Sequence, residues 1–381
     1  MSHFPTPARL LHDLETPAAV VELDVMAGNL DRMAAYAALH GLALRPHVKT
    51  HKAPRVAAEQ LRLGAVGLTC ATPREVEVMG DVTDDVLLAY PPVGRAKLVR
   101  LLSATAGLRF TVAIDSVEVA QGLAAIAEQA GRPVGVYVEA DLGMHRVGAA
   151  TPEACVALAS FVTESGWLEY RGVAFYPGHI RERVADQGPK LARLGDDLAR
   201  VIDALRAAGL RPPVVSGGST PAAWRMHEVP GVTEVRPGTY VYNDRTTAAT
   251  DACEWDELAL TVLATVVSTA VPGQAVIDAG TKALGREPMP ARPGEPDPGY
   301  GALLDRPEVT VQRMSEEHGI LDLSRTQWRP TVGEVVRVVP NHACIVVHLN
   351  DTVYGARGEV VETQWAVAAR GRDRVSDGAA R

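Results

Sequence analysis

Leu44-Arg45-Pro46-His47-Val48-Lys49-Thr50-His51-Lys52 is a short β-type run that ends in a lysine set between two histidines. It follows an amphipathic helix read over Val25–His40, with Leu30, Met33 and Ala37 on one face and Gly41 as its stop. Neighbouring cations and imidazoles lower the pKa of a lysine placed there. A partly neutral amine is what carbonyl chemistry such as Schiff-base formation requires. Taken alone, the same residues also read as a solvated basic turn. The choice rests on the rest of the chain.

Outward from this run, apolar stretches alternate with helical patterns. Further strands are expected at Ala65–Thr69, Val86–Tyr90, Phe110–Ile114, Val134–Ala140, Gly172–Tyr176, Pro213–Ser216 and Glu234–Tyr242. Helices are expected at Pro54–Leu63, Arg74–Met79, Val117–Gln129, Pro152–Ser165 and Leu191–Ala208. With Leu44–Lys49 this makes eight strands, the number in a (β/α)8 barrel, and a doubly wound sheet is the alternative. Beyond about residue 250 helical periodicity fades. Short β-rich runs take over at Ala259–Ser268, Ala275–Ile277, Val335–Val339, Ile345–Leu349 and Val360–Val367. The expected architecture is α/β: a TIM-like barrel over residues 25–248, and a C-terminal β domain of residues 249–381 joined by 1–24. Leu14–Leu23 is β-type and can pair with that domain. Arg286–Gly301 reads as a loop and Arg372–Arg381 as a frayed tail.

The chain has 381 residues, 47% hydrophobic and 22% charged, with a formal net charge of −8. That balance argues against a nucleic-acid surface and favours a small-molecule partner. Met1-Ser2-His3-Phe4-Pro5 carries no signal-peptide pattern. The longest apolar run, near Leu258–Val271, is too short to span a bilayer, so no membrane partner is expected. Cys70, Cys155, Cys253 and Cys344 are widely spaced and form no C-x-x-C pair. A reduced cytoplasmic protein is expected.

Several strand ends carry chemistry. Ser216-Gly217-Gly218-Ser219-Thr220-Pro221 ends the seventh strand, where a glycine turn before a helix N-terminus suits a phosphate, with Thr220 as cap. It also reads as an ordinary strand–turn–helix junction. Arg236 through Asp244 ends the eighth strand, and Tyr240 and Tyr242 share a face if that strand is regular. One hydroxyl can complete a phosphate site, or the two rings simply pack. Gly143-Met144-His145-Arg146-Val147-Gly148 presents an arginine suited to a planar ligand, or to a surface ion pair. In Tyr176-Pro177-Gly178-His179, Tyr176 and His179 can orient a ring or relay a proton, or form a satisfied turn. In Pro340-Asn341-His342-Ala343-Cys344, His342 and Cys344 project to one side if the run is a strand. Imidazole plus thiolate suits zinc, with open positions for water or substrate.

Together these motifs, in this order, resemble the D-threonine aldolase and D-serine dehydratase family of fold-type III pyridoxal-phosphate (PLP) enzymes, the alanine racemase-like barrels. The likeness also rests on Leu14-Glu15-Thr16-Pro17-Ala18 and Ser315-Glu316-Glu317-His318-Gly319, and spans Leu14 to Gly371. It implies Lys49 as the cofactor's Schiff-base lysine. Gly218, Ser219 and Thr220, with Tyr240, would hold the phosphate, and Arg146 and Tyr176 would flank the ring. His342 and Cys344 would be ligands of a divalent metal, zinc first and manganese second. It further implies a homodimer and a small D-amino-acid substrate. Lys49, His342 and His179 are the expected catalytic residues. His-x-Cys matches the dehydratases, whereas aldolases of the family more often show His-x-Asp. Leu349-Asn350-Asp351, Trp365 and Ala369-Arg370-Gly371 match the aldolases over a longer stretch. The leading expectation is therefore retro-aldol cleavage of a D-β-hydroxy-α-amino acid to glycine and an aldehyde. The alternative is dehydration of D-serine or D-3-hydroxyaspartate, and the third is racemisation. A cofactor-binding protein without catalysis would lack the β domain.

Overall fold

Eight parallel strands run through the first two-thirds of the computed structural model, at Ala43–Leu44, Leu68–Cys70, Asp85–Leu88, Arg109–Ile114, Val134–Glu139, Leu168–Ala174, Val214–Gly217 and Glu234–Val235. The structure describes residues 9–289, 291 and 297–372. From the second strand onward neighbours in sequence are neighbours in the sheet, and the eighth pairs with the first, Glu234 with Ala43 and Val235 with Leu44. Between the first strand and the second, Val66 N donates to Leu44 O, Thr69 N to Pro46 O and Val48 N to Thr69 O, each at 2.9 Å. The ring is thus closed, and a closed barrel has no exposed edge.

The local reasons are visible in the residues. Val134–Glu139 is buried at every position, as a parallel strand covered on both faces must be. Thr72, Ser116 and Thr151 cap the helices Pro73–Met79, Val117–Gln129 and Pro152–Glu164 by accepting from a backbone N–H, and Pro73 and Pro152 start the first turn. A helix at Arg95–Ala104, absent from the expectation, fills the gap between the third and fourth strands. Inside the barrel Arg45 bridges Glu234 at 2.8 Å and Asp85 at 2.7 Å. Ser216 Oγ donates to Glu234 Oε1 at 2.5 Å, and Arg236 Nη1 donates to Ser216 Oγ. These charges are tolerated in the interior because each is paired.

Contact density divides the chain into two units. One comprises Asp31–Gly238, Thr250–Ala252 and Ala368–Arg381, and holds the barrel. The other comprises Met1–Leu30, Thr239–Ala249 and Cys253–Val367. In that second unit a ten-stranded, mostly antiparallel sheet is built around Leu260–Ser268. This strand pairs on one side with Ala18–Glu22 and on the other with Val335–Pro340. The pairing expected of Leu14–Leu23 is therefore present.

Three expectations are corrected. The eighth strand stops at Val235 rather than running to Tyr242, and Thr239–Val241 is a 3-10 turn. Pro237 has no N–H to give, and Gly238 N donates to Thr220 Oγ1 at 3.2 Å. Tyr240 and Tyr242 consequently share no strand face. Ile345–Leu349 is not a strand but part of the helix Ala343–Leu349, which starts after Pro340 ends its strand. His342 and Cys344 are thus not related by strand periodicity. Regular pairing of the first strand covers Ala43–Leu44, and Lys49 lies in the turn that follows. Part of the loop expected at Arg286–Gly301, all of Met1–Pro5 and nearly all of the tail Arg372–Arg381 lie outside the described residues. Among the described residues no helix is long and apolar enough to cross a membrane.

Candidate functional site

In the barrel unit the side chains of the run Leu44–Lys52 are separated. His51 is fully buried, its Nδ1 accepting from Ala53 N at 3.1 Å and its Nε2 facing Gln60 Oε1 at 3.2 Å. Burial pushes this imidazole down to about 4, so it stays neutral. Lys52 is paired with buried Glu75. Lys49 is the cation left facing the strand ends. Its Nζ lies 5.6 Å from the centroid of the Tyr176 ring, and Arg146 Cζ lies 4.8 Å from the same centroid. Lys49 N donates weakly to His47 Nδ1 at 3.4 Å. Removal from water, followed by the charge of Lys49, holds His47 well below the usual imidazole range. The structure therefore gathers Lys49, Tyr176 and Arg146 around one ring, as far apart in sequence as they are.

At the end of the seventh strand Gly218 takes φ +110°, which a residue with a Cβ rarely adopts. Ser219, not Thr220, is the cap residue of the short helix Thr220–Ala223. Ser219 is 5% exposed and its Oγ is buried without a hydrogen-bond partner. Thr220 Oγ1 accepts from Gly238 N. An unsatisfied buried hydroxyl beside a left-handed glycine fits a missing acceptor group such as a phosphate. By this test the residues present suit PLP.

His179 follows Tyr176 by three residues in the barrel unit. It lines a cleft of about 380 Å³ with Asp141, Gly143, His145, Thr151 and Lys190. Lys49, Tyr176 and Arg146 are not among the residues that line it. The His179 ring packs on Gly143, its Nδ1 is buried without a partner, and burial lowers its pKa.

In the second unit Tyr240 is buried in the turn Thr239–Val241. His342 precedes the helix Ala343–Leu349, and Cys344 is in its first turn. Asp244 anchors both the histidine and the helix. Its Oδ2 lies 3.1 Å from His342 Nδ1 and accepts from Ala343 N at 3.0 Å. Its Oδ1 accepts from Thr247 N at 2.8 Å and Thr247 Oγ1 at 2.7 Å. Burial works against charge on His342, but the neighbouring Cys344 and Asp244 outweigh it and push the imidazolium up to about 11. Burial also works against the Asp244 carboxylate, but its bonds from His342 and Thr247 hold it below the usual range. An imidazole and a thiol drawn together over a proton, with a carboxylate behind the imidazole, form a donor set that suits a divalent cation, zinc in particular. Among the described residues no group of three or more His, Cys, Asp or Glu gathers to hold a metal, so His342 and Cys344 would leave positions open.

Asp244 had no role in the sequence reading, although it stands in a motif quoted there. It is 98 residues from His342, and no local pattern links the two.

The chain is similar to known proteins along its length. Residues 21–246 match the model of the alanine racemase N-terminal domain, and residues 259–356 the model described as "Putative serine dehydratase domain". A D-threo-3-hydroxyaspartate dehydratase of Delftia sp. (strain HT23) is 36% identical over 352 residues, 87% of this chain and 91% of that protein. A D-threonine aldolase of Arthrobacter sp. is 31% identical over 380 residues, 97% of this chain and 96% of that protein. Among solved structures, D-threonine aldolase from Filomicrobium marinum superimposes with a TM-score of 0.86 at 34% identity, covering 96% of this chain and 99% of that one. A cysteine-to-alanine variant of a D-threo-3-hydroxyaspartate dehydratase, solved in a metal-free form, superimposes with a TM-score of 0.87 at 32% identity, covering 96% and 100%.

Proposed function

Because the chain belongs to the D-threonine aldolase and D-serine dehydratase family of alanine racemase-like pyridoxal-phosphate enzymes, we propose that it is a PLP- and divalent-metal-dependent lyase acting on D-β-hydroxy-α-amino acids. The observation that carries this reading is the presence, in one chain, of a lysine and an arginine against one tyrosine ring in the barrel unit and of a carboxylate-backed His–Cys pair in the second unit. PLP, when bound, supplies an electron sink at the substrate α-carbon, and the metal supplies Lewis acidity toward the β-hydroxyl.

The residues divide the work as follows. Lys49 would hold the cofactor, and in the elimination reading its amine would take the proton from the substrate α-carbon. Ser219, Thr220 and the backbone at Gly218 hold the phosphate, with Tyr240 as a further donor. Arg146 and Tyr176 flank the ring. His342 and Cys344 ligate the metal, zinc first and manganese second, and Asp244 keeps His342 oriented. His179 is assigned to proton handling near the strand-six end. The working form is proposed to be a homodimer, as the family resemblance implies.

Two outcomes stand on different observations. β-Elimination to a keto acid and ammonia is favoured by Cys344, since His-x-Cys matches the dehydratase pattern, and by the 36% identity to a hydroxyaspartate dehydratase. Retro-aldol cleavage to glycine and an aldehyde is favoured by the longer match of the C-terminal residues and by the aldolase relatives. We place elimination first.

D-Threonine, D-serine and D-threo-3-hydroxyaspartate, each incubated with the protein, PLP and zinc, separate the two. Keto acid plus ammonia supports elimination, and glycine plus an aldehyde supports cleavage. Neither from any of the three sinks the lyase reading. A visible absorbance band lost on Lys49→Ala tests the cofactor. Activity lost with a chelator and restored by zinc or manganese tests the metal.

A further inference from the structure

Lys52 stands three residues after Lys49, in a backbone conformation that lysine rarely takes. Its φ is +50°, in the left-handed region. Among the described residues Asn243 and Asp251 share that region, and their short polar side chains tolerate it. Lysine has no such local compensation, so contacts outside the residue must hold it there.

Three contacts do so, all within the barrel unit. Lys52 N donates to Val48 O at 2.8 Å, which closes a single turn around Lys49. Lys52 O accepts from Ala369 N at 3.0 Å. The ammonium pairs with Glu75, and both side chains are buried. Glu75 is itself fixed. Its Oε2 accepts from Ala71 N at 2.6 Å, and its own N–H donates to Thr72 Oγ1 at 3.2 Å. Because the second barrel strand ends at Cys70, this carboxylate ties Lys52 to the end of that strand. The other side of the turn is tied to the same strand, where Val48 N donates to Thr69 O at 2.9 Å. Lys49 lies between the two anchors, and it is the one residue of 48–52 that is not buried. Stability alone is a poor reason for this arrangement. A buried ion pair is about neutral against apolar residues of the same volume, and this one maintains a strained backbone.

We propose that Lys52 and Glu75 are positioning residues for Lys49: their buried ion pair holds the turn at residues 48–52 in its left-handed form and so fixes where the Lys49 amine stands. They act through the backbone and not on the reacting atoms. A reactive side chain is placed only as well as the residues behind it are held. The inference rests on the PLP reading of Lys49.

The test uses the full chain as wild type, Lys52→Met, Glu75→Gln and the double variant. Glu75→Gln keeps an acceptor for Ala71 N, and the double variant leaves neither charge of the pair stranded. Three quantities are read: melting without PLP, hydrogen exchange of the backbone amides of residues 47–53 without PLP, and PLP affinity from the visible band. Each single variant should melt roughly 5 degrees or more below wild type, because it strands one buried charge. The double variant should melt within about 3 degrees of wild type. Its amides at 47–53 should nevertheless exchange about tenfold faster, and its PLP affinity should fall about tenfold. Lys52→Gly with Glu75→Gln supplies a residue that takes the left-handed form freely, and should bind PLP more tightly than Lys52→Met with Glu75→Gln. Equal or weaker binding there overturns the proposal. So do single variants that melt with wild type, or a double variant that melts with the single ones. A purely structural pair would bring melting, exchange and PLP affinity back together in the double variant, and that result also overturns it. A wild type that forms no band overturns the PLP reading and this proposal with it. A wild-type band whose affinity the double variant keeps overturns this proposal alone.

Discussion

His342 Nδ1 and Asp244 Oδ2 lie 3.1 Å apart, and the same carboxylate oxygen accepts from Ala343 N at 3.0 Å. One buried acid thus sets the imidazole's orientation and starts the helix that carries Cys344. A carboxylate behind a histidine fixes its tautomer and makes it a better metal ligand.

Replacing Asp244 by Asn should weaken zinc binding about 10- to 100-fold. Competition against a chromogenic chelator measures this, and circular dichroism checks that the fold survives. Affinity within about twofold of wild type would remove Asp244 from the metal site.

Ser219→Ala deletes a buried hydroxyl that has no partner in the protein. The PLP-free protein should therefore melt within a degree or two of wild type or slightly higher, whereas PLP affinity should fall about tenfold. An equal loss of stability with and without PLP would mean that Ser219 is merely structural.

Stability should depend on pH through His51. Its folded pKa is depressed to about 4 from an ordinary 6.5. Above pH 6.5 both folded and unfolded states hold it neutral and stability is full. As pH falls from 6.5 toward 4 the unfolded chain takes up the proton first, and the fold loses up to about 3 kcal/mol. Urea midpoints between pH 7.5 and 4.5 measure the slope, and a His51→Gln variant should show a flatter one. An identical slope in the variant would assign the effect to other groups.

Arg45→Met should lower stability by about 3–5 kcal/mol, because it strands Glu234 and Asp85 without their cation. Thermal melting reads the loss. Adding Glu234→Gln to Arg45→Met should recover part of it, and no recovery would show that the pair is not what holds the charges in place.

Much of the barrel was legible because its signals are local. Thr72, Ser116 and Thr151 announce helix starts, and runs such as Val134–Ala140 are apolar at nearly every position. The errors arose where one residue overrides a pattern. Pro237 ends a strand that the flanking residues would continue, and Asp244 turns the β-branched run Ile345–Val347 into helix by capping Ala343. The site was legible as residue types but not as partners. Lys49 stood out, yet so did His51 and Lys52, and only their links to Gln60 and Glu75 take those two away.

What the amino-acid order determined by itself was the alternation of strand and helix, the lysine that follows the first strand, and the β-rich C-terminal part. Those depend on periodicity and caps within a few residues. Tertiary structure alone decided that Lys49 and Arg146 both lie against the Tyr176 ring, that Asp244 stands behind His342, and that Ser219 Oγ is buried without a hydrogen-bond partner. These relations join residues far apart in the chain. They exist because barrel closure brings strand ends together and because burial forces each charge to find a partner or go without.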